Sequence, residues 1–266
     1  MVSFPNCKIN LGLRILRKRA DGYHDLSTVF HPLPLKDVLE IIHSPSPAFT
    51  AYGLPIPGTG NLCEKAYKLL KADFPTLPDI QIHLYKNIPI GAGLGGGSAD
   101  GAFTLLALNK QFHLGLDTPR LIDYAARLGS DCPFFILNTP CIGGGRGEKL
   151  EPIPLDLSAY RFVLVIPDLH ISTAQAFARC IPREGEKPLA DIIRQPIDTW
   201  RDQLVNDFEE PVFQLHPPLH EIKEILYTHG AVYASLTGSG SAFYGLFPKA
   251  HTPETLPLSW NYRILR

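Results

Sequence analysis

The sequence predicts an α+β protein in two halves. Three observations carry that expectation. Strand and helix patterns follow one another in irregular order, a glycine-rich segment separates a strand from a helix, and a proline-punctuated border follows a second glycine cluster. The chain has 266 residues, 45% of them hydrophobic, which is enough for two compact cores. The border falls at Glu151-Pro-Ile-Pro-Leu, giving expected domains of 1–150 and 151–266.

Each element has its own signal. Cys7 to Leu16 reads as a strand, Ile9 and Leu11 alternating with Asn10 and Gly12. Val38 to His43 is a second, shorter one. Asn61 to Leu70 has helical spacing, with Leu62, Ala66, Leu69 and Leu70 on one face and Asn61 as N-cap. Ile80, Ile82 and Leu84 alternate with Gln81, His83 and Tyr85, a strand that leads into the glycine-rich segment. A helical pattern resumes from Ser98 to Leu108. Thr118 to Leu128 is a further helix, with Thr118 as its cap and Pro119 at its first position. Phe162 to Ile166 is a buried-strand run. Leu219 to His229 forms an amphipathic helix stopped by Gly230, and Ala231 to Phe247 reads as strand, glycine turn, strand.

Composition excludes several classes. Lys and Arg total 25 against 26 Asp and Glu, a formal net charge of −1, so there is no electrostatic footprint for nucleic acid or an anionic membrane. No stretch approaches the roughly 20 apolar residues that span a bilayer, and the N-terminus lacks a charged region followed by an apolar one. Five cysteines without a Cys-x-x-Cys pair read as scattered reduced thiols. His216 and His220 stand four apart, but Pro217 and Pro218 intervene and no third ligand is evident, so no metal ligand is assigned. The expectation is a cytoplasmic enzyme, a monomer or weak homodimer, acting on a small molecule.

The most informative stretch is Pro89-Ile-Gly91-Ala-Gly93-Leu94-Gly95-Gly96-Gly97-Ser98-Ala-Asp100. Five glycines in seven residues before a helix let backbone N–H groups close on an anion, with the helix dipole adding roughly half a positive charge. A flexible turn is the bland alternative. There is no Gly-Lys-Ser/Thr ending, so a Walker A loop is excluded. Gly91-x-Gly93-x-x-Gly96 matches the dinucleotide fingerprint formally, and Asp117 stands about 20 positions on. The segment from Lys110 to Leu116 before it is no buried strand, which weakens a nicotinamide reading. Asp100 complements the helix dipole.

The glycine segment resembles the P-x-G-x-G-L-G-S/G-S motif of the GHMP kinase superfamily. Asn6-Cys-Lys8-Ile-Asn10-Leu, Arg19-Ala-Asp-Gly-Tyr-His24, Gly129-Ser-Asp131-Cys-Pro-Phe-Phe135 and Leu236-Thr-Gly-Ser-Gly-Ser-Ala-Phe243 are similar, in order, to segments of its diphosphocytidyl-methylerythritol kinase branch. Cys7 replaces the usual alanine, and Ala99 stands where a second serine is common. The resemblance implies a GHMP kinase fold with an N-terminal ATP-binding domain and a C-terminal ferredoxin-like substrate domain. It implies ATP with Mg2+ as cofactor, an acceptor carrying a cytidine diphosphate group, and phosphorylation of a hydroxyl in non-mevalonate isoprenoid synthesis.

Roles follow from the same resemblance. Asp131 is the expected base and Lys8 its partner; as isolated residues they would read as a helix cap and a surface lysine. The nucleotide side is expected to use Pro89, Gly91, Gly93, Leu94, Gly95, Gly96, Gly97 and Ser98, whose hydroxyl can meet a phosphate or a magnesium-bound water. Asn61 and Lys86 fit adenine contacts or, equally, a helix cap and a solvated strand end. Asn10 is expected at the acceptor, Tyr23, His24 and Phe177 around its cytosine, and Thr173, Gly238 and Ser239 at its diphosphate. Core packing is the alternative for Phe177, and Asn206 reads as structural. A GHMP kinase for mevalonate, homoserine or a sugar, and a silent nucleotide-binding relative, are the competing readings.

Overall fold

The computed structural model describes residues 1–58, 60–182, 187–257 and 259–265. The chain opens with β1 (Val2–Ser3), β2 (Asn6–Lys18), β3 (His24–Lys36), β4 (Val38–His43) and β5 (Ala48–Gly53). Then come α1 (Leu62–Asp73), β6 (Ile80–Lys86), α2 (Gly96–Gln111), α3 (Thr118–Leu128), α4 (Cys132–Leu137), β7 (Cys141–Gly144) and β8 (Lys149–Pro152). The remainder holds β9 (Tyr160–Ile166), α5 (Thr173–Arg179), α6 (Leu189–Ile192), α7 (Glu209–Leu215), α8 (Leu219–Thr228), β10 (Tyr233–Leu236), β11 (Phe243–Pro248) and β12 (Asn261–Leu265).

The chain packs as two compact units. The first comprises Met1–Lys8, Pro32–Ile90 and Gly95–Thr139; the second comprises Ile9–His31, Gly91–Leu94 and Pro140–Arg266. This partition differs from a single border near residue 151. β2 and β3 are each 13 residues long, about 40 Å at 3.3 Å per residue, and each passes from one unit into the other. A local composition shift cannot reveal such a strand.

In the first unit, the sheet β1-β4-β6-β5 is antiparallel except for the β5–β6 pair. Period-two alternation does its work on β6: Ile80, Ile82 and Leu84 are buried while Tyr85 is exposed. The buried face of α1 (Cys63, Ala66, Tyr67, Leu70) packs against α2. Asn61 caps α1 as expected, its side-chain oxygen accepting from the N–H of Cys63 and Glu64 at 2.8 and 3.0 Å. The cap of α3 is Asp117, not Thr118; its carboxylate accepts from Arg120 N–H at 3.0 Å, and Pro119 moves one place inward. The helix α2 begins at Gly96, two residues before the expected start at Ser98.

The second unit holds most of a sheet in order β2-β3-β7-β8 and a further sheet, β10-β11-β9-β12, with every neighbouring pair of the latter antiparallel. Numbered within the domain this is order 2-3-1-4, the split βαβ arrangement of ferredoxin-like folds. Among the described residues between β11 and β12 stands a short 3-10 turn, Lys249–His251. The core of this unit gathers Val163 and Val165 of β9, Phe243 and Phe247 of β11, and Val212, Leu219, Ile222 and Leu226 of α7 and α8. Among the described residues, no helix is long and apolar enough to cross a membrane.

Candidate active site

In the first unit Lys8, on β2, points its ammonium at Asp131, with Nζ 3.4 Å from Oδ2. Lys8 is buried at 4% exposure, whereas Asp131 keeps a third of its side chain open. Asp131 occupies the cap position of α4 with helical backbone angles, φ −85° and ψ −14°, and its side chain makes no capping hydrogen bond. The capping alternative therefore fails, and the carboxylate is held by a lysine while facing solvent. Gly95 lies on the stem of that lysine. A Cβ there would stand 3.1 Å from Lys8 Cγ and Cε and 3.0 Å from Phe135 Cζ, and φ is +70°, so both space and backbone require glycine.

Gly95 is also the cap residue of α2 and offers no side chain to the helix start. The amides of Gly96, Gly97 and Ser98 thus have no intrahelical acceptor and, with the helix dipole, favour an anion. The space over Gly97 is open. Ser98 hydrogen-bonds the Cys132 thiol, which burial pushes up to about 12, so that cysteine is an inert neighbour of Asp131. The earlier part of the segment belongs to the second unit. There Gly93 has φ +79°, and a Cβ would meet the Thr237 carbonyl oxygen at 2.0 Å. The Thr237 hydroxyl donates to the Gly93 carbonyl at 3.2 Å. Leu94 is buried, and Gly91 packs against the His170 imidazole.

Lys86 requires a correction. Its ammonium is not available to adenine, because it is 1% exposed and bonded to Asp37 and to Asp100 Oδ2 (2.8 Å). Asp100, read from sequence as a helix-dipole carboxylate, is the other half of that ion pair. Asn61 keeps both of its readings: it caps α1, and with Leu54, Ile56, Gly60 and Glu64 it lines a cleft of about 510 Å³ in the first unit.

The expected acceptor residues lie in the second unit and divide into open and buried. Tyr23 is 55% exposed, in a turn closed by Arg19 N–H to the Tyr23 carbonyl at 2.8 Å. The Arg146 guanidinium covers one face of its ring at 4.9 Å. Arg146 was not singled out from sequence; its position in the second glycine cluster was the available signal. His24 is the first residue of β3, and its ring stacks on Phe177 at 4.8 Å and 15°. Phe177 also meets Phe208 edge to face, so it is part of the wall that carries His24. Thr173 and Ser239 share a hydrogen bond of 2.9 Å, and the Gly238 carbonyl accepts from Asn206 at 2.9 Å. Asn206 is buried, bonds the carbonyls of Leu236 and Gly238, and accepts from Phe208 N–H, which fits its structural reading. Asn10 departs from expectation. It is 1% exposed, and its amide donates to Thr28 Oγ1 at 2.9 Å and faces Thr237, so the structure presents it as a buried brace.

The family model described as GHMP kinases N terminal domain matches residues 61–139, and that described as GHMP kinases C terminal matches residues 188–262. The chain is 50% identical to 4-diphosphocytidyl-2-C-methyl-D-erythritol kinase of Azobacteroides pseudotrichonymphae genomovar. CFP2, over 95% of this chain and 96% of that protein. It is also 50% identical to the kinase of that name from Bacteroides thetaiotaomicron, over 96% and 95%. Among solved structures, a 4-(cytidine 5'-diphospho)-2C-methyl-D-erythritol kinase superposes with a TM-score of 0.80 at 33% identity, covering 92% of this chain and 90% of that one. Methanococcus jannaschii mevalonate kinase shares the fold, with a TM-score of 0.69 at 15% identity over 94% and 92%. On this identity and coverage, the chain belongs to the GHMP kinase family, within its 4-diphosphocytidyl-2-C-methyl-D-erythritol kinase branch.

Proposed function

We propose that this protein transfers the γ-phosphate of ATP to the 2-hydroxyl of 4-diphosphocytidyl-2-C-methyl-D-erythritol, a step of non-mevalonate isoprenoid precursor synthesis. The observation that carries this reading is the Lys8–Asp131 pair beneath Gly95, with a carboxylate that caps nothing and stays open. Transfer to an alcohol needs a group that receives its proton and positive charge against the phosphates. Asp131 takes the hydroxyl proton, Lys8 fixes the carboxylate and faces the transferring charge, and the amides at the start of α2 hold the phosphates. The 50% identity to kinases bearing that substrate's name supports the acceptor.

The segment 1–150 supplies the nucleotide side through Pro89 to Ser98 and Asn61. The segment 151–266 supplies Thr173, Gly238 and Ser239 to the acceptor diphosphate. Tyr23 offers an open ring to the cytosine, His24 reads its edge from the support of Phe177, and Asn10 braces the floor. Magnesium enters with ATP and is carried by its phosphates. A reducing compartment, the cytoplasm, suits a chain whose five cysteines lack any Cys-x-x-Cys pair, and the net charge of −1 suits a small-molecule enzyme without nucleic-acid or membrane partners, working as a monomer or weak homodimer.

A coupled ADP-release assay with magnesium-ATP tests the reading, comparing the cytidine diphosphate acceptor with mevalonate, homoserine and galactose. Turnover confined to the cytidine compound is expected. Turnover with another alcohol would keep Asp131 and discard the cytosine pocket.

A further inference from the structure

The glycine segment needs its two ends held at a fixed separation, and the first unit contains a buried cluster at those ends. Lys86 is the last residue of β6, three positions before Pro89. Its ammonium bonds Asp37, in the connection between β3 and β4, and Asp100, the fifth residue of α2. The three side chains are 0 to 5% exposed. Asp37 does more than pair: its Oδ1 accepts from the N–H of Asn87 at 2.6 Å and of Ile88 at 2.8 Å. The two amides immediately ahead of Pro89 are thereby pinned. At the other end, Gly96 sits on this cluster so closely that a Cβ would stand 2.7 Å from Ile88 Cγ2 and 3.1 Å from Lys86 Nζ. Residues 86–88 and 96–100 are thus in contact, and the phosphate segment is strung between them.

We propose that Asp37, Lys86 and Asp100 act as a positioning cluster that fixes the take-off of the phosphate loop from β6 and its landing on α2, and thereby sets affinity for the ATP phosphates. The inference rests on the ATP-dependent reading above. Its physical basis is preorganisation. Closing a seven-residue loop costs entropy, and a rigid clamp removes that cost from nucleotide binding. The cluster is poor as a device for stability alone. Two carboxylates share one ammonium, Asp100 Oδ1 has no partner among the described residues, and burial pushes the Asp100 carboxyl up to about 8. Packed apolar side chains would fill the same space without charge.

That contrast defines the experiment. ATP affinity is measured by calorimetric titration, together with acceptor KM, kcat and Tm, for the wild type, Asp100→Asn, and the apolar double variant Lys86→Met/Asp100→Leu. Asp100→Asn keeps an oxygen toward Lys86 and is expected within about threefold of wild type for ATP. The double variant leaves the buried Asp37 carboxylate without its ammonium, so its Tm falls; measured below that Tm, it is expected to bind ATP at least tenfold more weakly, with acceptor KM changed less than twofold. A double variant that binds ATP as the wild type does would overturn the proposal. So would equal weakening toward ATP and acceptor, which is the signature of general loosening. Should the double variant not fold, Asp100→Ala replaces it: weakened ATP binding at wild-type Tm supports the clamp, and unchanged binding overturns it. Failure of the functional reading looks different. The wild type would then leave the cytidine diphosphate acceptor unphosphorylated while the variants still differed in ATP affinity.

Discussion

Two lysine–aspartate sites lie in the same unit and differ in what surrounds them. Lys8 meets Asp131 at 3.4 Å with the carboxylate partly open, whereas Lys86 meets Asp37 and Asp100 with every side chain sealed. The oxygens of Asp37 are all engaged, one by Lys86 and the other by two backbone amides. Asp131 makes no capping bond. A carboxylate that receives a proton from a substrate must be reachable and hold unclaimed lone pairs. One that fixes a backbone needs the reverse. Sequence alone gives both lysines the same appearance, each a charged residue in a strand pattern.

The sharpest way to break this comparison is Asp131→Asn. The fold and ATP affinity should persist within about twofold while turnover falls by roughly 10²–10⁴, the usual effect of losing a general base. Rapid-quench turnover and calorimetric ATP titration measure the two quantities. Near-wild-type turnover would strip Asp131 of its role and leave the open pair without a purpose. Lys86→Met asks the opposite question. It strands two buried carboxylates and should cost about 3–5 kcal/mol in urea unfolding. Lys8→Met should cost distinctly less, because Asp131 keeps its contact with water. Equal losses would mean that exposure does not distinguish the two sites.

Much of the site was legible because its chemistry is local. The strand into Pro89, the glycine run and the helix after it are adjacent in sequence, so period and composition place them. Lys8 and Asp131 lie 123 positions apart (131 − 8), and only the family resemblance joined them before the structure did. Asp37 illustrates what stays hidden. Nothing about a single aspartate between two strands announces a partner on β6 and another on α2. β3 was missed for a related reason: Pro32 and Pro34 interrupt its alternation, yet both are accommodated within a long strand. The cap of α3 slipped by one residue because Asp and Thr are both good caps and stand side by side at 117 and 118.

Tyr23 extends the comparison to the second unit, where exposure marks an open aromatic face. Tyr23→Ala should raise acceptor KM roughly tenfold, in keeping with about 1–3 kcal/mol for stacking on a base. The ATP KM should move less than twofold in the same steady-state series. The Arg146 guanidinium already occupies one face of the ring, so only the other is free for a pyrimidine. Equal changes in both KM values would undo the stacking role and return Tyr23 to the turn it closes.

Asn61 is the intermediate case and gives the smallest effect. It is half-buried, caps α1 through two amides and lines the cleft of the first unit, so its one side chain serves packing and an open surface together. Asn61→Ala removes the cap and should cost about 1 kcal/mol. Asn61→Ser restores a cap oxygen but not the amide, which donates to Glu64 Oε2 at 3.0 Å at the cleft wall. If Asn61 only caps, serine recovers both Tm and ATP KM. If the amide also meets the nucleotide, serine recovers Tm while ATP KM stays raised by the same factor as in alanine. Tm and KM measured on this pair therefore decide whether a residue that is neither sealed nor open belongs with Lys86 or with Asp131.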